Sequence, residues 1–338
     1  MKFFGFQWHI TEECDQRCKH CYVFSQKNAL FHETTFDEME AIVENCESMC
    51  KKILRQPHFS ITGGDPILHK DFWRLLLLLK SKNISFSILG NSFHLTESIC
   101  RKLKSLNCQR YQLSLDGLEK THDFIRKRGS YKDTIEKIRM LNEAGITTAI
   151  MSTVSKVNLK DIPSIIDIVV ENSAKIFAFA RYCPASKQSS IEEVSPAEYR
   201  DLLDVCWNKF NFYKKSGTSF SLKDHLWTLY LYEKGLFKID SSLDSNTIYE
   251  GCNCGINHMT ILPDATIFAC RRMNSPVGNA LKEQMYDIFQ GERLNAYRQF
   301  ERFQKCSNCE LLRFCRGCPA TTFSTNGDMY APDPQCWK

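Results

Sequence analysis

The chain has 338 residues, of which 43% are apolar and 25% are charged, as is usual for a globular protein long enough for one large domain and a small one. Its formal charge of +5 comes from scattered lysines and arginines, so we expect no nucleic-acid partner. The longest apolar run, Leu75 to Leu79, is far too short to span a membrane, and the first residues do not read as a signal peptide. We therefore expect a cytoplasmic protein without membrane contact.

Short β-rich segments alternate with longer segments of helical periodicity from the start to about residue 182. Strand and helix repeated in this way predict parallel strands joined by right-handed crossovers. The fold class is therefore α/β, a partial (β/α)6 barrel of the TIM type, with its chemistry at the C-terminal ends of the strands. The predicted strands are 4–10, 58–62, 84–90, 111–116, 147–154 and 175–182.

Composition divides the chain into three regions. The barrel is predicted over residues 1–190 and ends in a polar linker at 185–190. A helical linker region follows over 191–250, with Ser195 as the N-cap of its first helix. Residues 251–338 are short-turned and rich in cysteine, which predicts a small domain held together by metal.

Cysteine is the unusual component, with 17 residues in the chain. A cytosolic compartment keeps thiols reduced, so clustered cysteines favour metal binding over a disulfide framework. Eleven cysteines fall into an N-terminal and a C-terminal cluster, and the rest are expected to be small buried hydrophobes. The isolated cysteines are Cys46, Cys50, Cys100, Cys108, Cys183 and Cys206.

The N-terminal cluster is CDQRCKHC, with Cys14, Cys18 and Cys21 directly after the first predicted strand. Three thiolates hold three irons of a four-iron cube and leave the fourth iron open, whereas structural zinc takes four ligands. The open position indicates chemistry, and a zinc site completed by a histidine is the alternative. The nearby histidines are His9, His20 and His32.

This C-x3-C-x2-C pattern resembles the signature of the radical SAM enzymes, with His20 directly before the third cysteine. The resemblance implies that Cys14, Cys18 and Cys21 bind a [4Fe-4S] cluster whose open iron takes S-adenosylmethionine. One electron then cleaves the sulfonium to give a 5′-deoxyadenosyl radical, which abstracts hydrogen from the substrate. The resemblance places Tyr22 against the adenine; packing between strand and loop is the alternative role.

Gly63-Gly64-Asp65-Pro66 follows the second predicted strand. Glycines allow a backbone to approach a ligand closely, and a carboxylate accepts hydrogen bonds from an amine. The segment resembles the family's GGEP motif, which implies that Gly63, Gly64 and Asp65 hold the methionine amino group. Asp65 stands where the family has Glu, so the contact is direct, water-mediated or shifted.

Further polar residues follow the later strands. Asn91 in GNS resembles the family's TNG segment, and Ser114 and Asp116 in SLDG resemble the segment near the ribose and the substrate. Arg126 in HDFIR is implied to pair with the methionine carboxylate, and Thr153 to reach the ribose. Each also has an ordinary role as a turn, cap or ion-pair residue, but their joint placement at strand ends favours a pocket.

The C-terminal cluster has eight cysteines, which suit two four-ligand sites for zinc or for iron–sulfur clusters. Its spacing resembles the SPASM extension of radical SAM enzymes, which implies two auxiliary clusters and three [4Fe-4S] clusters in all. The opening C-x-C is unusually tight, so Cys252 is the least secure ligand. The implied ligands are Cys252, Cys254, Cys270 and Cys318 for the first cluster, and Cys306, Cys309, Cys315 and Cys336 for the second.

The resemblance implies a maturase that crosslinks a ribosomally made peptide through a thioether or a carbon–carbon bond. The alternatives are a peptide epimerase, with Cys183 at the end of the sixth strand as hydrogen donor, a small-molecule enzyme of cofactor biosynthesis, and a zinc-stapled binding protein. Arg271 and Arg272 stand where sulfatase-maturating members have a carboxylate base, which favours a substrate other than a sulfatase. The two cations are expected to contact an acidic peptide or carboxylate, or to lie on the surface.

The expected partners follow from the same interpretation. They are a peptide substrate and an electron donor such as flavodoxin or ferredoxin. Because Cys14 lies so near the first residue, we expect the chain to lack the peptide-tethering domain that often precedes the barrel in the family. We therefore expect a separate peptide-recognition protein, or recognition by the barrel and the C-terminal region.

Overall fold

A computed structural model describes residues 2–25, 33–184, 191–240, 242–244 and 247–338. The barrel strands are β1 (Phe3–His9), β2 (Gln56–Thr62), β3 (Ser85–Leu89), β4 (Arg110–Ser114), β5 (Thr147–Val154) and β6 (Ile176–Arg181). The first seven helices are α1 (Tyr22–Ser25), α2 (Phe36–Lys52), α3 (Phe72–Ser81), α4 (Glu97–Ser105), α5 (Glu119–Ile125), α6 (Ser130–Glu143) and α7 (Ile162–Glu171). The six strands pair in parallel in chain order, which confirms the predicted partial barrel.

The remaining elements are strands that extend the same sheet at both ends and the helices that accompany them in the chain. They are α8 (Pro196–Phe212), β7 (Ser219–Ser221), α9 (Leu226–Glu233), β8 (His258–Ile261), β9 (Thr266–Phe268), β10 (Pro276–Asn279), α10 (Met285–Gln290), α11 (Glu292–Asn295) and α12 (Pro319–Asn326). β7 pairs with β6 and β8 pairs with β1, both in parallel, so the strand order is β10-β9-β8-β1-β2-β3-β4-β5-β6-β7.

The region 191–250 differs from its sequence interpretation. It contains the expected helix α8, which Ser195 and Glu198 cap reciprocally, but it also supplies β7. Three residues are too few to show a strand period, which is why the pattern gave no sign of this strand. The predicted linker at 185–190 lies outside the described residues. In the described part of the chain, no helix is long and apolar enough to cross a membrane.

The two faces of the sheet have opposite character. Alternate side chains such as Phe6, Phe59 and Phe86 are buried beneath the helices. The intervening positions face inward and are mostly polar on β1 to β4, where Gln7 pairs with Ser60 in register, whereas β5 and β6 also place Ala149, Met151 and Ile176 there. We call the space bounded by the inner faces of β8 and of β1 to β7 the chamber. Its polar positions include His9, His58, Ser87, Arg110, Gln112, Ser114, Thr153, His258 and Thr260.

Candidate active site and auxiliary cysteine groups

The three-cysteine loop joins β1 to α1 at the C-terminal end of the sheet. Gln16 organises it, because its backbone N–H donates to Cys14 Sγ at 3.4 Å and its Oε1 accepts from Cys18 Sγ at 3.2 Å. Burial is the main cause that raises the pKa of Cys18 to about 11, the Arg126 guanidinium opposes it, and the neighbouring Cys21 and Cys14 contribute to the rise. Three thiols on one loop, of which Cys14 and Cys18 are costly to ionise without a cation, fit a metal cluster bound by three thiolates.

The glycine pair after β2 explains how the next loop reaches the cysteines. A Cβ on Gly63 would lie 2.2 Å from the carbonyl oxygen of Thr11, and one on Gly64 would lie 2.1 Å from that of Glu13. The Gly64 N–H donates to Thr11 O at 2.9 Å. The two glycines therefore allow the loop after β2 to lie directly against the cysteine loop, a constraint that the sequence pattern alone did not identify.

Asp65 is fully buried beside this loop. Its Oδ1 accepts from the Asn91 N–H at 3.4 Å, while its Oδ2 has no hydrogen-bond partner among the described residues. Burial raises the pKa of Asp65 to about 6. Asn91 in turn donates through Nδ2 to Cys14 Sγ at 3.2 Å and to Asp15 Oδ1 at 3.2 Å. A buried carboxylate oxygen without a donor fits the amine contact that the resemblance implies.

Asp116 organises the opposite side of the three-cysteine loop. Its Oδ2 accepts from Arg126 Nε at 2.5 Å and lies 3.6 Å from His20 Nε2, and its Oδ1 accepts from the Thr153 N–H at 2.8 Å. Burial alone raises the pKa of Asp116, but the Arg126 guanidinium lowers it below its usual value. Arg126 Nη1 also lies 3.7 Å from Cys18 Sγ. Arg126 is thus a half-buried residue beside the three-cysteine loop and not a surface ion pair.

His20 and His9 have other neighbours that account for their positions. His20 faces Asp116, and burial lowers its pKa to about 4. His9 lies in the chamber, where its Nε2 is 3.2 Å from Gln7 Nε2. The third candidate zinc ligand, His32, lies outside the described residues. Ser114 ends β4 at an inward position, half-buried, at the level of Met151 on β5.

Tyr22 links the N-terminal and C-terminal cysteine regions. It follows Cys21, its hydroxyl accepts from Gln7 Nε2 at 3.3 Å, and the guanidinium of Arg271 lies 5.6 Å from the centre of its ring. Arg271 follows Cys270 and pairs with Glu12 Oε1 at 3.5 Å. The cysteine loop and the first auxiliary group therefore share one wall of the chamber.

The first auxiliary group forms around Cys254, whose pKa is raised well above its usual value by the adjacent thiols of Cys252 and Cys270. Cys318 belongs to the same site, because it packs against Cys270 and accepts from Arg272 Nη2 at 3.5 Å. The structure thus brings together the four cysteines of the first implied cluster. His225, which the sequence analysis did not single out, lies near Cys252 and, after Cys254, contributes to lowering the pKa of that thiol.

Arg316 fixes the loop that carries Cys252. This buried guanidinium donates to the carbonyl oxygens of Cys252 at 2.7 Å and of Glu250 at 2.9 Å. Gly251 between them has a φ of +90°, and a Cβ there would lie 3.0 Å from the guanidinium. The tight opening C-x-C is therefore a well-supported turn.

Cys183 lies beside the first auxiliary group. It is 6% exposed and packs with Met273, Cys318 and Ala320. Burial raises the pKa of its thiol to about 12. Sequence analysis gave this thiol two roles, a buried structural cysteine or a hydrogen donor at the barrel mouth; the structure places it against the auxiliary cysteines, covered from solvent.

The second auxiliary group contains Cys306, Cys309, Cys315 and Cys336. The pKa of Cys306 rises to about 11 through burial first and then through Cys336 and Cys309, and Cys315 is influenced by Cys306 and Cys336. The structure therefore brings the four cysteines of the second implied cluster together as well.

The short CRGC turn sends its two cysteines to different groups. Gly317 has a φ of +61°, which favours glycine, and a Cβ there would lie 2.7 Å from Asp333. The N–H of Cys318 donates to Asp333 Oδ2 at 2.8 Å, so this carboxylate anchors the turn.

A buried ion-pair network ties the barrel to the auxiliary region. Arg181 at the end of β6 is 2% exposed and pairs with Asp224 at 3.0 Å and with Asp333 at 2.9 Å. Asp333 also accepts from the Gln335 N–H at 2.9 Å. Sequence analysis missed this network, since its members lie far apart in the chain and match no motif.

Known proteins show the same two regions. The profile described as "Radical SAM superfamily" matches residues 8–169, and the profile "SPASM: Iron-sulfur cluster-binding domain" matches residues 252–310. Together with the barrel and the cysteine groups, these matches show that the chain is a radical SAM enzyme with a C-terminal SPASM domain. S-adenosylmethionine and iron–sulfur clusters are the cofactors of such domains.

Individual relatives are similar over nearly the whole chain. An AdoMet-dependent heme synthase of Methanosarcina barkeri is 26% identical over 97% of this chain and 95% of its own length. The mycofactocin maturase MftC of Mycolicibacterium smegmatis is 24% identical over 97% of this chain and 81% of its own. The crystal structure of Streptococcus suis SuiB bound to precursor peptide SuiA shares the fold, with a TM-score of 0.78 and 20% identity over 100% of this chain and 76% of that one.

Proposed function

We propose that this enzyme oxidatively crosslinks a ribosomally made peptide, forming a thioether or a carbon–carbon bond. The contact of Tyr22 with Arg271 carries the proposal, because these residues directly follow Cys21 and Cys270. A substrate in the chamber meets the radical site and the first auxiliary group together. Crosslinking removes two hydrogen atoms from the substrate, one by abstraction and the other as a proton and an electron, so it needs a hydrogen acceptor and a one-electron acceptor near one substrate.

The proposal assigns roles to the residues of this chain. The three thiolates of the first loop hold the cluster, and S-adenosylmethionine bound there supplies hydrogen-atom abstraction. Asp65 and the backbone at Gly63 and Gly64 hold the methionine amine, and Arg126, oriented by Asp116, faces its carboxylate. Tyr22, Asn91, Ser114 and Thr153 line the nucleotide position. The eight C-terminal cysteines hold two auxiliary clusters, which bind a substrate thiolate or accept the second electron.

The environment of Cys183 favours crosslinking over epimerisation. Epimerisation is redox-neutral and needs a thiol that reaches the substrate radical. Cys183 is buried against the auxiliary cysteines with its pKa raised to about 12, and its Sγ lies 4.0 Å from the carbonyl oxygen of Arg272. A peptide substrate is supported by the similarity to MftC, which is named a maturase.

A small-molecule substrate is the second candidate. The similarity to the AdoMet-dependent heme synthase over 97% of this chain favours it, and the polar chamber suits a small polar molecule as well as a peptide. Flavodoxin or ferredoxin remains the proposed electron donor in both cases, and a separate recognition protein is proposed only for the peptide.

Co-expression tests the peptide proposal. The chain is produced anaerobically with each small peptide encoded beside its gene, and the peptides are analysed by tandem mass spectrometry. We expect a product that lacks two hydrogen atoms per crosslink, absent with a Cys14/Cys18/Cys21→Ala variant. A peptide of unchanged mass that gains solvent deuterium at an α-carbon would instead establish epimerisation. No change in any encoded peptide, with S-adenosylmethionine cleavage intact, would contradict a peptide substrate.

A further inference from the structure

An arginine beside the third C-terminal cysteine contacts a sulfur of the first auxiliary group. Arg272 follows Cys270 by two residues, and its Nη2 donates to Cys318 Sγ at 3.5 Å. The contact therefore connects two cysteines of one proposed cluster that lie far apart in the chain. The sequence left open whether this cation meets an acidic substrate or the solvent, and the structure directs its guanidinium to a sulfur instead.

The surroundings of Arg272 keep its positive charge beside that sulfur. Arg272 is half-buried and Cys318 is 5% exposed, so water screens their contact only weakly. The Cys318 sulfur is the first cause that raises the pKa of Arg272 well above its usual value, with burial opposing it. Cys183, Cys270 and Asp224 add to the rise, although the oxygens of Asp224 bind the arginine that ends β6.

The backbone that carries Arg272 forms a hydrogen-bonded turn. The N–H of Cys270 donates to Ser275 Oγ at 2.9 Å, and that hydroxyl donates to the carbonyl oxygen of Cys270 at 2.7 Å. Cys183 Sγ lies 4.0 Å from the carbonyl oxygen of Arg272 itself. The turn therefore presents the guanidinium to Cys318 from a fixed position, as a residue outside the ligand set does when it tunes a metal centre.

The sulfurs of the second auxiliary group have different partners. Cys315 Sγ accepts from the backbone N–H of Gly317 at 3.5 Å, a neutral donor. Lys338 acts electrostatically on Cys309, but its ammonium is exposed and pairs with Glu310 at 2.6 Å. Water and the paired carboxylate weaken the effect of such a cation on the sulfur. The two groups therefore differ in the charge that acts on their sulfurs.

Net charge and hydrogen bonds to the sulfurs set the reduction potential of an iron–sulfur cluster. A cation that donates to a ligand sulfur favours the reduced cluster, because reduction adds one negative charge. We propose that Arg272 is a positioning residue that raises the reduction potential of the first auxiliary cluster above that of the second. The first cluster then accepts the electron released in crosslinking. This inference rests on the proposed function for the cluster ligands and for the source of that electron.

The electron balance of the crosslinking step defines what the first cluster must do. The 5′-deoxyadenosyl radical takes one hydrogen atom from the substrate. Closing the new bond then releases a proton to water and one electron, which reduces the first auxiliary cluster by one electron. A one-electron carrier of the flavodoxin or ferredoxin type returns that cluster to its oxidised state. A higher potential at the first cluster makes the transfer from the substrate more favourable.

Redox titrations followed by electron paramagnetic resonance test the inference without substrate or turnover. The reference is the full chain with its three N-terminal cysteines replaced by alanine, which spares both auxiliary groups. Arg272→Met, Arg272→Gln and Arg200→Met are introduced into it separately. Arg200 is an exposed arginine of α8 in a surface ion pair and serves as the matched control. A further Cys306/Cys309→Ala variant, which removes ligands of the second group only, assigns the two signals.

We expect the first cluster of the reference chain to be reduced at a higher potential than the second. Arg272→Met should lower its reduction equilibrium by about tenfold or more, which is about 59 mV for one electron, because both the charge and the donor are lost. Arg272→Gln keeps an N–H donor and should lower it by less. The second cluster should keep its potential, and Arg200→Met should change neither cluster. Unchanged iron content establishes that the clusters are intact.

Three results would overturn the inference. They are a first cluster reduced at or below the potential of the second in the reference chain, an unchanged first cluster in Arg272→Met, and an equal fall at both clusters. If Arg272→Met loses the iron of the first cluster, Arg272→Gln decides by the same criteria. Loss of that iron in both variants would also overturn it, because Arg272 would then be needed for assembly.

The titration and the co-expression test fail independently. The potentials are measured on the chain alone, so they do not depend on which substrate the enzyme takes. An Arg272-dependent potential together with unmodified peptides would refute peptide crosslinking alone. Crosslinked peptides together with an unchanged potential in Arg272→Met would refute the role of Arg272 alone.

Discussion

Asn91 connects two loops of the radical site through one side-chain amide. Its Nδ2 donates to Cys14 Sγ and to Asp15 Oδ1, both at 3.2 Å, while its own N–H donates to Asp65. Hydrogen bonds to ligating sulfurs raise the reduction potential of an iron–sulfur cluster. The amide therefore has an electronic role as well as the turn role that its sequence position suggests.

Asn91→Ala should lower the potential of the N-terminal cluster by tens of millivolts and leave iron content nearly unchanged, because the three thiols remain. An anaerobic redox titration followed by electron paramagnetic resonance measures this shift. Asn211→Ala is the control, since Asn211 is exposed on α8 and its side-chain amide donates to Trp207 O at 3.0 Å. A potential identical to that of the wild type would show that the contact with Cys14 has no electronic effect.

At the scale of elements, the barrel and the auxiliary region are joined by a pair of buried carboxylates that share Arg181. This arginine ends β6, Asp224 lies before α9, and Asp333 holds both the Cys318 turn and the segment leading to Cys336. Removing one partner from such a network leaves buried charges uncompensated. The network therefore determines how firmly the auxiliary cysteines are attached to the sheet.

Arg181→Met should lower the free energy of unfolding by about 3–5 kcal/mol, because Asp224 and Asp333 lose their cation. Iron bound by the auxiliary cysteines should fall more than iron bound at the N-terminal loop, because that loop follows β1 whereas Arg181 ends β6. Urea unfolding and iron analysis measure both effects. Arg200→Met is the matched control, since its exposed pair with Glu233 at 3.0 Å should contribute at most about 1 kcal/mol. Equal stability of the two variants would contradict the role of Arg181.

Sequence analysis predicted the structural features that repeat along the chain or match a known motif. All six barrel strands lie where their β-rich segments predicted, because each has several residues between polar loops. The sequence did not predict the short strand β7, because three residues show no period. It did not predict the network of Arg181 either, because ion pairs between distant residues leave no local pattern. For the candidate site, the resemblance to the SPASM extension grouped Cys254 with Cys270, but it did not indicate that Cys183 lies beside that group.

At the scale of the whole molecule, the sheet places two sources of chemistry around one polar chamber. The three-cysteine loop follows β1, and the first auxiliary group flanks β8, which is the parallel neighbour of β1. Because these strands are adjacent, the two sites lie side by side, and the guanidinium of Arg271 is 5.6 Å from the centre of the Tyr22 ring.

Iron and labile sulfide per chain, measured after anaerobic reconstitution, test the central claim most directly. The wild type is compared with the Cys14/Cys18/Cys21→Ala variant, which spares the two auxiliary groups. We predict about twelve irons in the wild type and about eight in the variant, as three four-iron clusters require. Stoichiometric zinc with little iron in the wild type, or equal iron in both proteins, would contradict a radical site at the N-terminal loop with two auxiliary clusters behind it.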